Sequence, residues 1–473
     1  MVFHRFVDDG LAQFSYFVGS ETAGEAVVVD PRRDVEPYLA YAWERGVRIA
    51  HVLETHIHAD YASGAAELAH RTGARLHLSA YDRGERYEVA LPHRALREGD
   101  EVRVGEVRLR TVHTPGHTPE HVAFLIYDGR GEAPARFLTG DFLLIGSLGR
   151  PDLLGEDERE ALSRALYQSV RRVLPGLPDD LWIHPAHGAG SLCGGGMSAE
   201  KERRLGTERT DNPLLDPALD ADDFVRRLLD TVPAYPDYYL RMKARNAGGE
   251  GFDRPWPEPV ARGPEAFQRA VDDGAMVVDT RHLLAFGGGH VPGALGIGLH
   301  ADLSQWAGWT ASYDRPLALV TDRREDVKAA LTRLARVGLD RVDAFLDGGM
   351  DAWLAAARPV ATLPQLPVRA LHERIDGRAD DEGPAVLDVR TDEEWERGHI
   401  DGAIHVMGGH LQAELDRLPD RDREIAVTCS TGYRSTVAAS ILQRNGFRRV
   451  WNVPGGMDAW TEAGLPVAGE TAD

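Results

Sequence analysis

The feature that most limits how this chain can fold is a repeat inside its C-terminal half. Val278-Asp279-Thr280-Arg281 returns as Leu387-Asp388-Val389-Arg390, and Gly289-His290-Val291-Pro292-Gly293-Ala294 returns as Gly398-His399-Ile400-Asp401-Gly402-Ala403, both 109 residues later. Gly348-Gly349-Met350-Asp351-Ala352-Trp353 returns as Gly455-Gly456-Met457-Asp458-Ala459-Trp460 after 107 residues. Three blocks in the same order are too many for chance, so two homologous α/β modules stand here, joined near Pro359 to Pro367. The chain has 473 residues. At roughly 150 residues per domain, that leaves room for a further domain ahead of the pair.

That leading region alternates short apolar runs with Gly, Pro and Asp turns. Ala26-Val27-Val28-Val29 reads as a buried strand closed by Asp30-Pro31, and Val47 to Leu53 as another that feeds a polar loop. A helix follows from Ser63 to Thr72, stopped by Gly73, and Val102 to Val112 reads as a strand pair around Gly105. Between 213 and 262 a short helix, Asp222 to Thr231, gives way to Pro233, Pro236, Gly248, Gly249, Gly251, Pro255, Pro257 and Pro259, a density of breakers expected of a linker or wrapping segment. Composition narrows the function. With 43% apolar residues the chain can build several cores, and a net charge of −21 repels nucleic acid and anionic lipid. No apolar run reaches the ~18 residues of a membrane span. Asp8 and Asp9 stand where a signal peptide would be apolar, and two cysteines, Cys193 and Cys429, suit a reducing cytoplasm.

Chemistry gathers first at Thr55-His56-Ile57-His58-Ala59-Asp60, just after a strand. Imidazoles and carboxylates packed so tightly on a loop can converge on one divalent cation. His117 in a Pro-Gly turn, Asp141 after an apolar run, and His187 after Leu181-Trp182-Ile183 extend the set to the ends of further strands, as a metal cleft at a sheet edge requires. Together these motifs resemble the metallo-β-lactamase fold family over roughly residues 1–210. The resemblance implies an αββα sandwich with metal at one rim. Dinuclear hydrolases of that family, glyoxalase II among them, carry a histidine directly after the aspartate; here Tyr61 stands there. That weakens a second metal site and leaves a single site of His56, His117 and Asp141, a set suited to non-haem Fe(II) and O₂. His58, Asp60 and His187 become outer groups or the remains of a vacant second site. The run from Asp141 to Gly149-Arg150-Pro151-Asp152 resembles the persulfide dioxygenase branch, which implies that Arg150 helps hold an anionic thiol substrate. Cys193, in a Gly-rich loop, is either a small buried thiol or an accessible one near the metal that takes part in substrate binding.

The second repeat contains Cys429-Ser430-Thr431-Gly432-Tyr433-Arg434-Ser435 between an apolar strand and a helix. A cysteine above a helix N-terminus is surrounded by backbone N–H dipoles that favour a thiolate or a persulfide, aided by Arg434. Phosphatases built this way place five residues between cysteine and arginine. Four stand here, giving a smaller loop that suits sulfane sulfur. The module resembles the rhodanese sulfurtransferases, with Cys429 as nucleophile, Arg434 assisting, and Ser430, Thr431, Gly432, Tyr433 and Ser435 lining the loop. In the first copy Asp322 replaces the cysteine and Val327 the arginine, so that module is expected to be inactive.

The whole chain resembles persulfide dioxygenase–sulfurtransferase fusions: a metal domain over 1–212, a linker over 213–259, a cysteine-less rhodanese module over 260–362 and an active one over 363–473. The resemblance implies α/β architecture with parallel sheets in both rhodanese modules, and one Fe(II) per chain with zinc as the alternative. It also implies oxidation of a low-molecular-weight persulfide such as glutathione persulfide by O₂ to sulfite, and sulfur transfer that makes or uses thiosulfate. No nucleic-acid or membrane partner is expected, and a homo-oligomer stays open. Two rivals remain: a dinuclear-zinc thioester hydrolase of the glyoxalase II kind, and a non-enzymatic persulfide relay or sensor with the metal domain as scaffold.

Overall fold

The computed structural model describes residues 1–129, 131–249, 253–376 and 383–469. Gly251, one of the breakers above, lies outside them. The chain divides into two compact units, Met1–Pro255 with Ala335–Gly338, and Trp256–Leu334 with Leu339–Asp473.

In the first unit two six-stranded sheets lie face to face. One runs in spatial order Val2–Asp8, Gln13–Ser20, Glu25–Val29, Arg48–Leu53, Arg75–Ser79, Arg94–Leu96; the other runs Arg203–Arg204, Trp182–Pro185, Arg136–Gly140, Val122–Tyr127, Val107–His113, Glu101–Val104. Why Ala26 to Val29 is apolar without alternation is now plain. Val27 and Val29 face the other sheet beside Phe124 and Leu138, while Ala26 and Val28 face Tyr38, Ala42 and Leu68 of the helices outside. A strand covered on both faces has no polar side to offer. On the far side, Phe137 and Ile183 pack on Leu166 and Val170 of helix Glu156–Val173. Each such buried side chain contributes about 1.5–3 kcal/mol. The result is the αββα sandwich. The Val102–Val112 hairpin turns at Gly105, whose φ of +58° and whose missing Cβ, 2.8 Å from Ser20 Oγ, both require glycine.

Two helices differ slightly from expectation. The first begins at Ala65 rather than Ser63, because Gly64 passes so close to Arg32 that a Cβ would sit 1.9 Å from its carbonyl oxygen. The second spans Ala221–Asp230 and is capped by Asp220, which accepts from Asp223 N at 2.9 Å. With Phe224 and Leu228 it packs onto the sandwich, and the breaker-rich segment beyond it forms a further helix, Tyr238–Asn246, inside the same unit.

The second unit holds two parallel sheets. One has the order Val260–Arg262, Val342–Leu346, Leu317–Val320, Met276–Asp279, Leu295–Gly296; the other has Ile404–His405, Ala385–Asp388, Glu424–Thr428, Arg449–Asn452. The sequence repeat is a repeat of bonds. Arg281 pairs with Asp279 at 2.7 Å and donates to Gly289 O; Arg390 does the same with Asp388 at 2.7 Å and Gly398 O. Trp353 Nε1 donates to Pro359 O and Trp460 Nε1 to Pro466 O. No helix among the described residues is long and apolar enough to cross a membrane.

Candidate metal centre and sulfur-transfer loop

His56, His117 and Asp141 leave three different strands and meet in the first unit, each buried, with one ligand atom apiece inside a span of 4.8 Å. Their hydrogen bonds fix the tautomers. Thr55 Oγ1 donates to Asp30 Oδ2 at 3.0 Å, so it accepts from His56 Nδ1 at 2.9 Å. His117 Nδ1 donates to Arg150 O at 2.8 Å. Both Nε2 lone pairs are then directed inward, buried and without a hydrogen-bond partner. Asp141 Oδ2 lies 3.8 Å from one and 3.4 Å from the other. Burial and neighbouring imidazoles hold His56 and His117 well below the usual histidine range, so both present lone pairs at neutral pH. Two neutral imidazoles and one carboxylate fit a divalent cation, which would take up the two buried nitrogens that no hydrogen-bond donor or acceptor satisfies.

The outer residues orient this trio. His187 is buried between two carboxylates, with Nδ1 2.8 Å from Asp141 Oδ1 and Nε2 2.8 Å from Asp60 Oδ2. Burial alone would lower its pKa, but Asp141 and Asp60 outweigh it and hold His187 well above the ordinary value. His58 Nε2 lies 3.1 Å from Asp30 Oδ1. Cys193 is 1% exposed, its thiol pushed up to about 12 by burial and by Asp60. It nevertheless joins Asp60 and His187 in a second group of ligand atoms within 4.8 Å. The Arg150 guanidinium closes on Asp152 at 2.7 and 2.8 Å and on Leu192 O at 2.8 Å, and lies over the Tyr235 ring. Gly149 beside it is obligatory, since a Cβ there would stand 2.0 Å from Asp141 O.

In the second unit Cys429 ends strand Glu424–Thr428 and is fully buried. Gly432 N donates to its Sγ at 3.1 Å, and the thiol lies 3.5 Å from Ser435 Oγ, itself a donor to Asn452 Oδ1 at 2.6 Å. Gly432, at φ +105°, caps helix Tyr433–Arg444, whose Val437, Ala438, Ile441 and Leu442 are all buried. The loop has no room for more backbone: a Cβ on Gly456 would meet Cys429 O at 2.0 Å. Thr431 O accepts from Gly455 N, and the Tyr433 hydroxyl donates to Gly298 O of the first module at 3.0 Å. Arg434 grips Glu394 with bonds of 2.6 and 2.7 Å and reaches Ser430 Oγ at 2.6 Å. In the first module the strand register shifts the expected pair by one residue: Val320 pairs with Asp279 as Thr428 does with Asp388, so Thr321 rather than Asp322 takes the cysteine position and Asp326 rather than Val327 the arginine position, with Asp322 exposed.

The Metallo-beta-lactamase superfamily profile matches residues 8–187, and the Rhodanese-like domain profile matches 263–356 and 370–463. "Persulfide dioxygenase ETHE1, mitochondrial" of Homo sapiens is 33% identical over 215 residues, 45% of this chain and 74% of that protein. The chain belongs to the metallo-beta-lactamase superfamily. It joins a metallo-beta-lactamase domain with persulfide dioxygenase homologues to two rhodanese-like domains that follow it in sequence. A hydroxyacylglutathione hydrolase of Polaromonas sp. is 35% identical over 175 residues, 37% of this chain and 61% of that one. The solved structure of a metallo-beta-lactamase from Staphylococcus aureus subsp. aureus COL superposes with a TM-score of 0.65 and 31% identity, over 73% of this chain and 98% of the other.

Within this metallo-beta-lactamase domain, several groups around the metal pocket escape a motif search. His121 accepts from Asp141 N at 3.0 Å and stacks on His56. Glu120 accepts from Ile57 N, and Lys243, 1% exposed, donates to Ile57 O at 2.9 Å. Spacing could have flagged His121, four residues after His117. Nothing in the short motifs points to Lys243.

Proposed function

We propose that this protein oxidises a low-molecular-weight persulfide with O₂ at His56, His117 and Asp141, and moves sulfane sulfur through Cys429. The observation that carries the reading is the pair of buried, partnerless Nε2 lone pairs facing Asp141. The likeness to the human persulfide dioxygenase supports it. Two imidazoles and a carboxylate would hold one Fe(II), with zinc the alternative, and bound Fe(II) would supply O₂ activation and open positions for substrate. The residues of the chain orient and neutralise. Thr55 and the Arg150 carbonyl keep each imidazole turned inward, while His187 holds the Asp141 carboxylate by hydrogen bond and charge. In balance, a persulfide, O₂ and water give a thiol, sulfite and two protons. At the other site the Gly432 amide and the helix N-terminus stabilise sulfur anions on Cys429, which passes sulfane sulfur between persulfide and sulfite to make or use thiosulfate.

The hydroxyacylglutathione hydrolase relative and the Asp60–His187–Cys193 group favour a second reading, dinuclear thioester hydrolysis. Tyr61 in the ligand position and the engagement of both His187 nitrogens weigh against it. Cys429→Ser separates the two proposed activities: thiosulfate exchange falls to background while O₂ uptake with persulfide stays within two-fold, about the scatter of a remote substitution. Loss of both together would contradict the division of labour.

A further inference from the structure

The internal repeat is a control for the Cys429 loop. Positions that serve the fold kept their bonds in both modules, as the paired Asp–Arg and Trp–Pro contacts show. Three others differ together: Cys429, Arg434 and Glu394 stand where the paired strands and the helices of the first module place Thr321, Asp326 and Ala285. Glu394 therefore varies with the nucleophile rather than with the fold. Its carboxylate is anchored from its own helix, where it closes a capping box with Thr391: Thr391 N donates to Oε2 at 3.0 Å. Arg434 closes on both oxygens at 2.6 and 2.7 Å, and Ser430 Oγ donates to Oε1 at 2.7 Å. Ser430 and Glu394 also line a cavity of about 300 Å³ beside the loop, with Arg397, Met457 and Asp458. An anion entering there meets a carboxylate already seated on Arg434 and Ser430, and a nearly neutral pair in place of a bare cation.

We propose that Glu394 is a specificity-determining residue of the sulfur-transfer loop, a resident carboxylate that disfavours doubly charged sulfur oxyanions relative to persulfides. This deepens the reading of Cys429 as sulfur carrier and rests on it. Either donor loads the same bond. The Cys429 thiolate attacks the outer sulfur, a new S–S bond forms, and the donor's own S–S bond breaks with its electron pair leaving on a thiolate or on sulfite. No outside oxidant enters. The discrimination lies in the charge of the approaching group, one negative charge on a persulfide against two on thiosulfate.

Glu394→Gln in the full chain keeps the shape and removes the charge, and Glu394→Ala copies the residue already present in the first module. Both variants are expected to lower KM for thiosulfate about five- to ten-fold, with kcat within about two-fold and the persulfide KM nearly unchanged. A second readout needs no turnover: the ratio of Cys429 alkylation by iodoacetate to that by iodoacetamide, followed on the Cys429 peptide, rises by a similar factor. Absence of any sulfur transfer in the wild-type chain would overturn the carrier reading, and the alkylation ratio would still decide the role of Glu394. An unchanged ratio or a raised thiosulfate KM overturns the proposal, and Glu394 is then a positioning residue for Arg434.

Discussion

His77 is 1% exposed and shares a 2.9 Å hydrogen bond with His51 on the neighbouring strand. Burial and the His51 charge push it down to about 3 from an ordinary 6.5, so it stays neutral in the folded chain. The unfolded chain takes up a proton near 6.5, which makes His77 a source of acid sensitivity. Its contribution is complete above pH 6.5 and is lost as pH falls toward 3, by on the order of a few kcal/mol. His77→Gln is expected to be less stable than wild type at pH 7 and to close that gap as the pH drops, read from urea midpoints at pH 7, 5.5 and 4.5. A gap that stays constant would contradict the assignment. The same physics acts in the metal pocket, where burial keeps His56 and His117 neutral while two carboxylates keep His187 charged. Identical side chains take opposite roles because their neighbours differ, and no composition or spacing rule carries that information.

Helix Tyr238–Asn246 shows the same limit at the scale of an element. The breaker-rich stretch around it reads as a linker or wrapping segment. In the fold it clamps the loop that carries His56 and His58 by that loop's main chain. Tyr238 Oη donates to Asp60 O, Lys243 Nζ to Ile57 O, and Asn246 Nδ2 to His58 O and Tyr61 O, while Asn246 Oδ1 accepts from Ser63 N. These partners lie more than 175 residues apart in sequence, whereas His56, His58 and Asp60 announce themselves by spacing alone. Asn246→Ala strips two buried carbonyls and one N–H of their partner and is expected to cost about 2–3 kcal/mol. Denaturant unfolding and metal retained after chelator dialysis both report it, and both should fall. Wild-type values in both would show that the loop holds itself.

Across the whole molecule, what repeats or recurs at fixed spacing was legible. The two rhodanese-like modules follow from three blocks about 108 residues apart, and the gathering of His56, His117 and Asp141 into one candidate site from strand ends that each carry a histidine or an aspartate. What depends on a partner far along the chain was not, and Glu394 shows why. In sequence it belongs to a helix-start signature with Thr391, and only the folded loop joins it to Arg434. The strongest test of the proposed chemistry is stoichiometric. Iron-loaded protein is given glutathione persulfide in an oxygen electrode, and sulfite and thiosulfate are quantified in the same sample. O₂ consumed is expected to equal sulfite plus thiosulfate formed. No uptake with glutathione, coenzyme A or cysteine persulfide, together with thioester hydrolysis by a form holding two zinc ions, would contradict it.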